Sequence, residues 1–386
     1  MDNLTHTLTG FAISYAGLNR KTRYATLAIV IGANLPDIDL VTRFWGSATY
    51  LEYHRGITHS IVGVTLLAVL LAATVYLFGK RRPLLLESAP PLNGRWLFAA
   101  CWIATASHLL LDLTTSYGVR LFLPFSGHWY AWDIEPIIDP LLWAVLIAGL
   151  GLPFLFRLIT EEVGARKTGY RLGSILSLCA LVALWGVRDL THRRALNMLN
   201  ARTYRGEDPQ RLGAFPIPGN PFAWKAVVET NSGYYVLPVD VLGNNVDPQD
   251  GRFFRKPDPS SPLEAALKTR TAAIFMNFAR FPWAEVVSGE NGPTVMIQDL
   301  RYQPADFQRG GFVARIELDN ELHVRSQAFS FTGKFQGVNL FGDRKSLTPV
   351  AMSVSPYRQN LGTNDKSMPS RSRRQQKPAR SRGCFV

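Results

Sequence analysis

One uncharged stretch decides the fold of this protein: residues 61–79 read IVGVTLLAVLLAATVYLFG, nineteen positions without a charged side chain. A helix needs roughly 20 apolar residues to cross the hydrocarbon core of a bilayer, so the stretch predicts a transmembrane helix. Five further hydrophobic segments approach this length, at residues 4–19, 24–37, 96–113, 137–157 and 172–187. Residues 1–188 are therefore expected to form an α-helical membrane bundle of about five to six hydrophobic helices.

The six segments differ in character. The first two carry several polar residues, which favours a helical hairpin shielded by the other helices. The sixth, residues 172–187, is barely long enough to span.

The chain beyond the bundle is polar and has a different pattern. Residues 224–230 and 234–239 flank a turn-forming Asn-Ser-Gly, and residues 312–318 and 322–330 flank Asp-Asn, which predicts two β-hairpins. Apolar residues within 262–278 recur at helical spacing. We expect a smaller α+β soluble domain over residues 189–342. The mean hydropathy of +0.02 is then the average of two unlike halves.

The net charge of +13 says little about function. Seven of these charges belong to the last 21 residues, which contain no acid and almost nothing apolar to bury. Residues 343–386 are therefore predicted to be a disordered basic tail, and no specific nucleic-acid partner is expected.

Basic residues in the short loops orient the bundle, because cytoplasmic loops are enriched in Lys and Arg. If the segments alternate, one side holds Arg20, Lys21, Arg23, Lys80, Arg81, Arg82, Arg95, Arg157, Arg166, Lys167 and Arg171. The opposite side holds only Arg43, Arg55 and Arg120 in its short loops. This bias predicts a multi-pass membrane protein with its N-terminus and its C-terminal domain outside. Arg188, Arg193 and Arg194, after the sixth segment, oppose that assignment.

The hydrophobic half contains five of the seven histidines, and ionisable groups within a membrane domain are costly and point to function. His108 and Asp112 are four residues apart, so a helix places them on one face, where they can bind one divalent ion. A structural His–Asp hydrogen bond within the bundle is the alternative.

Other motifs supply similar groups. Asn34-Leu-Pro-Asp37-Ile-Asp39 leaves two carboxylates at the mouth of a helix that Pro36 ends, with a solvated loop as the alternative. In His54-Arg-Gly-Ile-Thr-His59, Gly56 allows a tight turn that brings both histidines to one centre. His6 begins the first segment as a further candidate ligand, and Asp139 begins the fifth, where it is a candidate ligand or base, or a helix cap.

The topology brings these separate candidates to one membrane face, opposite the basic loops. The group comprises His6, Asp37, Asp39, His54, His59, His108, Asp112 and Asp139. Imidazole and carboxylate ligands together suit Zn²⁺ best, with Mn²⁺ or Fe²⁺ as further options. The sequence thus predicts a metal site at the external face.

The same motifs carry a resemblance over residues 1–185. Met-Asp-Asn-Leu-Thr-His6, Asn34-Leu-Pro-Asp-Ile-Asp39, His54-Arg-Gly-Ile-Thr-His-Ser60, His108-Leu-Leu-Leu-Asp112 and Ile137-Ile-Asp-Pro-Leu-Leu-Trp143 resemble the bacterial inner-membrane metal-dependent hydrolases, some of them LexA-regulated. The resemblance implies an integral membrane protein with metal-dependent hydrolase activity. The HxxxD arrangement is also similar to that of zinc-dependent phospholipases C and single-strand nucleases.

These observations favour hydrolysis of a phosphoester by one or two divalent ions, with Asp37 and Asp139 as the candidate catalytic carboxylates. Since the site lies at a membrane face, the bilayer is the expected partner and a lipid or other amphiphile the expected substrate. The alternative is a non-catalytic scaffold or transport component in which His–Asp pairs hold helices together or pass ions.

Overall fold

A computed structural model describes residues 1–82, 90–162, 170–303 and 311–333. The predicted tail over residues 343–386, and Arg166 and Lys167 of the basic loops, lie outside the described residues.

Helices form throughout the predicted bundle. They are α1 (Asn3–Tyr15), α2 (Ala25–Gly32), α3 (Ser47–Tyr53), α4 (Ile61–Lys80), α5 (Gly94–Leu113), α6 (Pro140–Glu162) and α7 (Tyr170–Asn200), with 3-10 segments at Leu18–Arg20, Leu35–Trp45 and Ile57–His59. Each of the six hydrophobic segments contains one of the longer helices. The predicted hairpin is present, because α1 and α2 pack together and the hydroxyl of Ser14 lies 2.8 Å from that of Thr26.

Four helical stretches of the described chain are long and apolar enough to cross a membrane: Ala25–Trp45, Ile61–Lys80, Gly94–Leu113 and Tyr170–Asn200. Pro140–Pro153 is a shorter apolar helix. The prediction that the sixth segment is barely long enough was wrong, because α7 has 31 residues and continues past residue 188 to Asn200. Its polar C-terminal turns pack against the β-strands that follow. The helix therefore continues beyond the run of apolar residues from which its length was predicted.

The start of α4 is fixed by two residues. The Ser60 hydroxyl accepts a hydrogen bond from the Gly63 amide at 2.9 Å, which satisfies a donor at the helix end. A side chain at Gly63 would meet the Ile57 carbonyl oxygen at 1.7 Å, so only glycine lets the 3-10 turn Ile57–His59 lie against the helix. This close approach holds His59 at the helix mouth.

The C-terminal half contains two four-stranded antiparallel sheets. The first has β1 (Arg211–Ile217), β2 (Asn220–Glu229), β3 (Gly233–Asp240) and β4 (Arg252–Arg255), and the second has β5 (Pro282–Val287), β6 (Thr294–Asp299), β7 (Val313–Leu318) and β8 (Val324–Ser330), each in sequence order. Both predicted hairpins are confirmed, as β2–β3 and β7–β8.

The helix predicted over residues 262–278 is instead two helices, α8 (Ser261–Leu267) and α9 (Arg270–Phe278). Thr269 separates them, since its side chain accepts a hydrogen bond from the Ala272 amide and starts the second helix.

The β domain packs on the end of the bundle that carries the loops after the 3-10 segment Leu35–Trp45 and after α5. Leu51 and Tyr117, one from each loop region, are buried in the same apolar core as Phe278, Phe312 and Phe329 of the domain. Arg280 of the domain also forms an ion pair with Asp133.

A buried ionic cluster lies at the junction of α6, α7 and the β domain. Arg188 of α7 pairs with Asp139, and the Nε atom of Arg188 lies 3.4 Å from a carboxylate oxygen of Glu135. All three side chains are fully buried. Asp139 also accepts a hydrogen bond from the Gly219 amide of the β1–β2 turn at 3.0 Å. Arg188 is therefore neutralised within the fold, so it is not evidence for a cytoplasmic loop.

One guanidinium faces two carboxylates in this cluster. Burial raises the pKa of Glu135 from 4.5 to about 8, against the opposing effect of Arg188. Between pH 4.5 and 8 the folded state then holds a proton that the unfolded state has lost. Stability is expected to fall as pH rises through this window, by at most ~1.4 kcal/mol per pH unit from this group.

We expect Glu135→Gln to remove this part of the pH dependence, because glutamine keeps the shape and has no proton to lose. Thermal unfolding in detergent between pH 5 and 9 measures it, with the exposed Glu321→Gln as the matched control. An unchanged pH slope in Glu135→Gln would contradict the assignment.

Candidate metal centre

Four buried side chains from three parts of the bundle converge on one point. His108 and Asp112 lie one turn apart on α5, His59 comes from the turn before α4, and Asp37 from the 3-10 segment Leu35–Trp45. The Nε2 atom of His59 lies 3.1 Å from His108 Nε2, 3.4 Å from Asp37 Oδ1 and 3.3 Å from Asp112 Oδ2. His108 Nε2 lies 3.7 Å from the same Asp37 oxygen and 3.6 Å from the same Asp112 oxygen.

These spacings fit a tetrahedral ion. With metal–ligand bonds of about 2.0–2.1 Å, as for Zn²⁺ bound by histidine, the ligand atoms of a tetrahedron lie about 3.3–3.4 Å apart. The five distances, from 3.1 to 3.7 Å, surround that value. The residues present therefore match both the size and the donor types of a zinc site.

The hydrogen bonds of the two imidazoles fix which nitrogen faces the centre. His108 Nδ1 donates to the Ala33 carbonyl oxygen at 2.7 Å, and His59 Nδ1 lies 3.1 Å from the Asp39 carboxylate. In both rings the Nδ1 atom has a partner on the far side, so the two Nε2 atoms face each other at the centre. Metal-binding histidines are typically oriented in this way through their other nitrogen.

Asp39 is the residue that orients this part of the site. Its carboxylate accepts hydrogen bonds from the Arg55 amide and the Thr58 hydroxyl, each at 2.9 Å, and lies 2.9 Å from His54 Nδ1. Burial lowers the pKa of His54, against the opposing effect of Asp39, so the ring is neutral at pH 7. Asp37, Asp39 and His54 form a second group with ligand atoms within 4.8 Å of one another. Asp37 belongs to both groups and could bridge two ions.

His6 lies on the other side of His108. The two rings stack with centroids 3.7 Å apart, and His6 Nε2 is 3.5 Å from Asp112 Oδ1. His6 is fully buried, and neither ring nitrogen has a hydrogen-bond partner within the part of the chain that the structure describes. The backbone nitrogen of Met1 also contacts Asp112.

The structure thus brings together seven of the eight residues selected from the sequence: His6, Asp37, Asp39, His54, His59, His108 and Asp112. It does not bring Asp139 to them. Asp139 caps α6 through the Leu141 amide at 3.0 Å, and its other oxygen pairs with Arg188. Its oxygens are thus engaged in these contacts, and the candidate role of Asp139 as ligand or base finds no support in this placement.

Sequence reasoning missed Arg55 as a part of the site. Its guanidinium is buried, lies 2.8 Å from Asp112 Oδ1 and donates to the Thr115 hydroxyl at 2.9 Å, with the Tyr117 ring 4.7 Å away. Its backbone has φ of +53°, an uncommon conformation for a residue other than glycine. The available signal was its position between His54 and His59, in a motif where it also counts as a loop charge.

The charges of the cluster also favour a cation. Asp37, Asp39 and Asp112 contribute three negative charges to a buried site, and Arg55 contributes one positive charge. The carboxylates therefore outnumber the guanidinium among these side chains, and a bound cation would offset part of the excess negative charge. Like charges buried together are otherwise costly.

A buried His/Asp cluster held by membrane-spanning helices defines the class: a multi-pass membrane protein with a candidate metal centre. Residues 1–193 match the YdjM inner membrane protein family, and the chain belongs to that family. It is also 25% identical over 346 residues to the uncharacterized protein YfhP of Bacillus subtilis (strain 168), over 86% of this chain and 95% of the relative. No solved structure matches significantly. The protein is therefore an inner-membrane protein, as its sequence predicted.

We expect Asp39→Asn to weaken metal affinity about 10–100-fold. The Asp39 carboxylate accepts hydrogen bonds from donors on both of its oxygens, whereas the NH2 group of asparagine would turn its own hydrogen atoms towards one set of those donors. Chelator competition on the purified protein measures the affinity. Asp319→Asn, in the turn between β7 and β8, is the matched control and should leave the affinity unchanged. Equal affinities for the two variants would show that Asp39 does not orient the ligands.

Proposed function

We propose that this protein is a membrane-bound metal-dependent hydrolase that cleaves a phosphoester of a lipid or other amphiphile. The observation that carries the proposal is the convergence of four ligand atoms, from Asp37, His59, His108 and Asp112, with five of their separations between 3.1 and 3.7 Å. A purely structural His–Asp pair would not need a second imidazole nitrogen 3.1 Å from the first and a second carboxylate beside both.

In the proposed site the four side chains hold the ion, with Zn²⁺ favoured and Mn²⁺ or Fe²⁺ as options. A bound divalent ion would act as a Lewis acid on a phosphoryl oxygen and make water a stronger nucleophile near neutral pH. Arg55 holds Asp112 in place through its ion pair. His54 and His6 complete the ligand set or position its members.

Asp37 is the proposed catalytic carboxylate. Its side chain is 10% exposed, whereas those of His59, His108 and Asp112 are exposed by at most 1%. Of the four it is therefore the most exposed to solvent. Since a catalytic zinc needs one position for water, Asp37 is the ligand that would give up its position and act as the base.

The first test is metal content. We expect wild-type protein to retain a divalent ion in stoichiometric amount by elemental analysis, and His59→Ala and His108→Ala to lose it, because each variant removes one of four ligands. His323→Ala, on the exposed surface of the β domain, is the control and should retain the ion. Circular dichroism verifies that each variant is folded. Metal retained by both site variants would contradict the site.

The second measurement is turnover of phosphoester lipids by the metal-loaded protein, with loss of turnover in the two site variants. If the protein binds metal but cleaves no phosphoester or acyl ester, the non-catalytic scaffold or transport function takes the place of the hydrolase.

We further propose that the site and the β domain face the outside of the cell, because the basic loops lie at the opposite end of the bundle. In a cysteine-free background, Leu242→Cys on the β domain, where the side chain is 68% exposed, should react with a membrane-impermeant maleimide in intact spheroplasts. Arg82→Cys, after α4, should react only after lysis. The reverse pattern would place the site at the cytoplasmic face.

A further inference from the structure

The 3-10 segment Leu35–Trp45 has its polar and apolar sides reversed. Asp37 and Asp39 are buried, whereas Ile38, Phe44 and Trp45 are 56%, 89% and 68% exposed. A segment on a water-exposed surface shows the opposite arrangement, with acids outward and apolar side chains inward. The outward face of this segment is therefore suited to an apolar environment.

This apolar surface continues around the metal cluster. The segment contacts both the turn Ile57–His59 and the start of α4, and the Ile61 amide donates to the Leu121 carbonyl oxygen at 3.0 Å. The exposed apolar side chains along this path are Ile38, Leu40, Val41, Phe44, Trp45, Ile57, Ile61, Phe122 and Phe125. We refer to these nine residues as the apolar rim.

The apolar rim joins the outer face of a spanning helix. Leu66, Val69, Leu70 and Leu77 of α4 are 46–63% exposed, and they lie on the uncharged stretch that crosses the bilayer. Ile61 begins the same helix. The apolar rim is thus continuous with a surface that contacts acyl chains.

Helix lengths give the depth of the cluster. The 20 residues of α4 extend about 30 Å, which equals the thickness of the hydrocarbon core, so Ile61 lies near its boundary. His59 lies just outside that boundary. His108 precedes the end of α5 by five residues, or roughly 7–8 Å, and so lies just inside it. The metal cluster therefore sits at the depth where hydrocarbon meets headgroups.

We infer that the apolar rim is immersed in the acyl chains of the bilayer, and that a lipid brings its phosphoester to the metal cluster from within the membrane. Trp45 has the amphipathic ring typical of this boundary, and the exposed Arg43 beside it can reach an anionic headgroup. The immersion rests on the structure alone, and the route of the substrate rests on the proposed function.

Immersion is tested without any activity. Spin labels are attached at Ile38→Cys, Val41→Cys and Phe44→Cys in the full chain, with Cys101, Cys179 and Cys384 replaced. The protein is reconstituted into nanodiscs of phosphatidylethanolamine and phosphatidylglycerol. Collision rates with oxygen, which partitions into lipid, and with a water-soluble nickel chelate are measured by electron paramagnetic resonance. Leu70→Cys is the lipid-facing control and Leu242→Cys the water-facing control.

We expect the three labels to resemble Leu70→Cys, with high oxygen and low nickel accessibility. Labels that resemble Leu242→Cys would overturn the inference, because the surface would then face water. Low accessibility to both reagents would also overturn it, since a second copy of the chain or another segment would then cover the surface.

The substrate route is tested with the double variant Phe44→Ser/Trp45→Ser, which alters no proposed ligand. Hydrolysis of a long-chain phospholipid in vesicles should fall by roughly tenfold, because the apolar contact with acyl chains is lost. Hydrolysis of a water-soluble phosphodiester should stay within twofold of wild type. Equal rates on vesicles for the variant and wild type, or an equal loss on both substrates, would overturn the route. If wild type cleaves neither substrate, the proposed function fails, and the spin-label result stands independently.

Discussion

The structure depends on one constraint: three carboxylates and two imidazoles share a buried space with one guanidinium and the backbone nitrogen of Met1. Such a group cannot remain desolvated without a compensating positive charge. The fold meets part of this requirement itself, through the ion pair of Arg55 with Asp112 and the donors that surround Asp39. Asp37 and Asp112 lie where His59 and His108 face each other, so a cation bound at that point would meet two of the three carboxylates.

The local features of the fold serve this arrangement. Gly63 allows the turn before α4 to lie against the helix, and Pro36 lies at the start of the 3-10 segment that carries Asp37 into the cluster. The β domain supports the site from its outer side, because Tyr117 is buried in the domain core while its ring lies against Arg55. The domain is therefore linked to the site through the contact of Tyr117 with the Arg55 guanidinium.

Much of the site could be predicted because its signals were local. The HxxxD spacing on α5 fixes two ligands by helix geometry, and the rarity of ionisable groups in a membrane half singles out His59 and Asp37. Asp139 was misplaced because its partner, Arg188, lies 49 residues away on α7, and no local pattern shows such a contact. The break at Thr269 was different: a threonine before a helical stretch is a capping signal that was present in the sequence.

The position of the cluster also explains why its ligands come from separate segments. Asp37, His59 and the pair His108–Asp112 belong to three elements that meet at one end of the bundle, so an ion bound there would link the 3-10 segment Leu35–Trp45, the turn before α4, and α5. At that boundary the spanning parts of the helices are held by the bilayer and the β domain packs on the same end. The cluster therefore lies between the spanning helices and the β domain. Its most exposed ligand, Asp37, lies on the 3-10 segment Leu35–Trp45, whose outward face is apolar. A reacting group that enters between lipid and Asp37 would meet the ion without leaving the membrane surface.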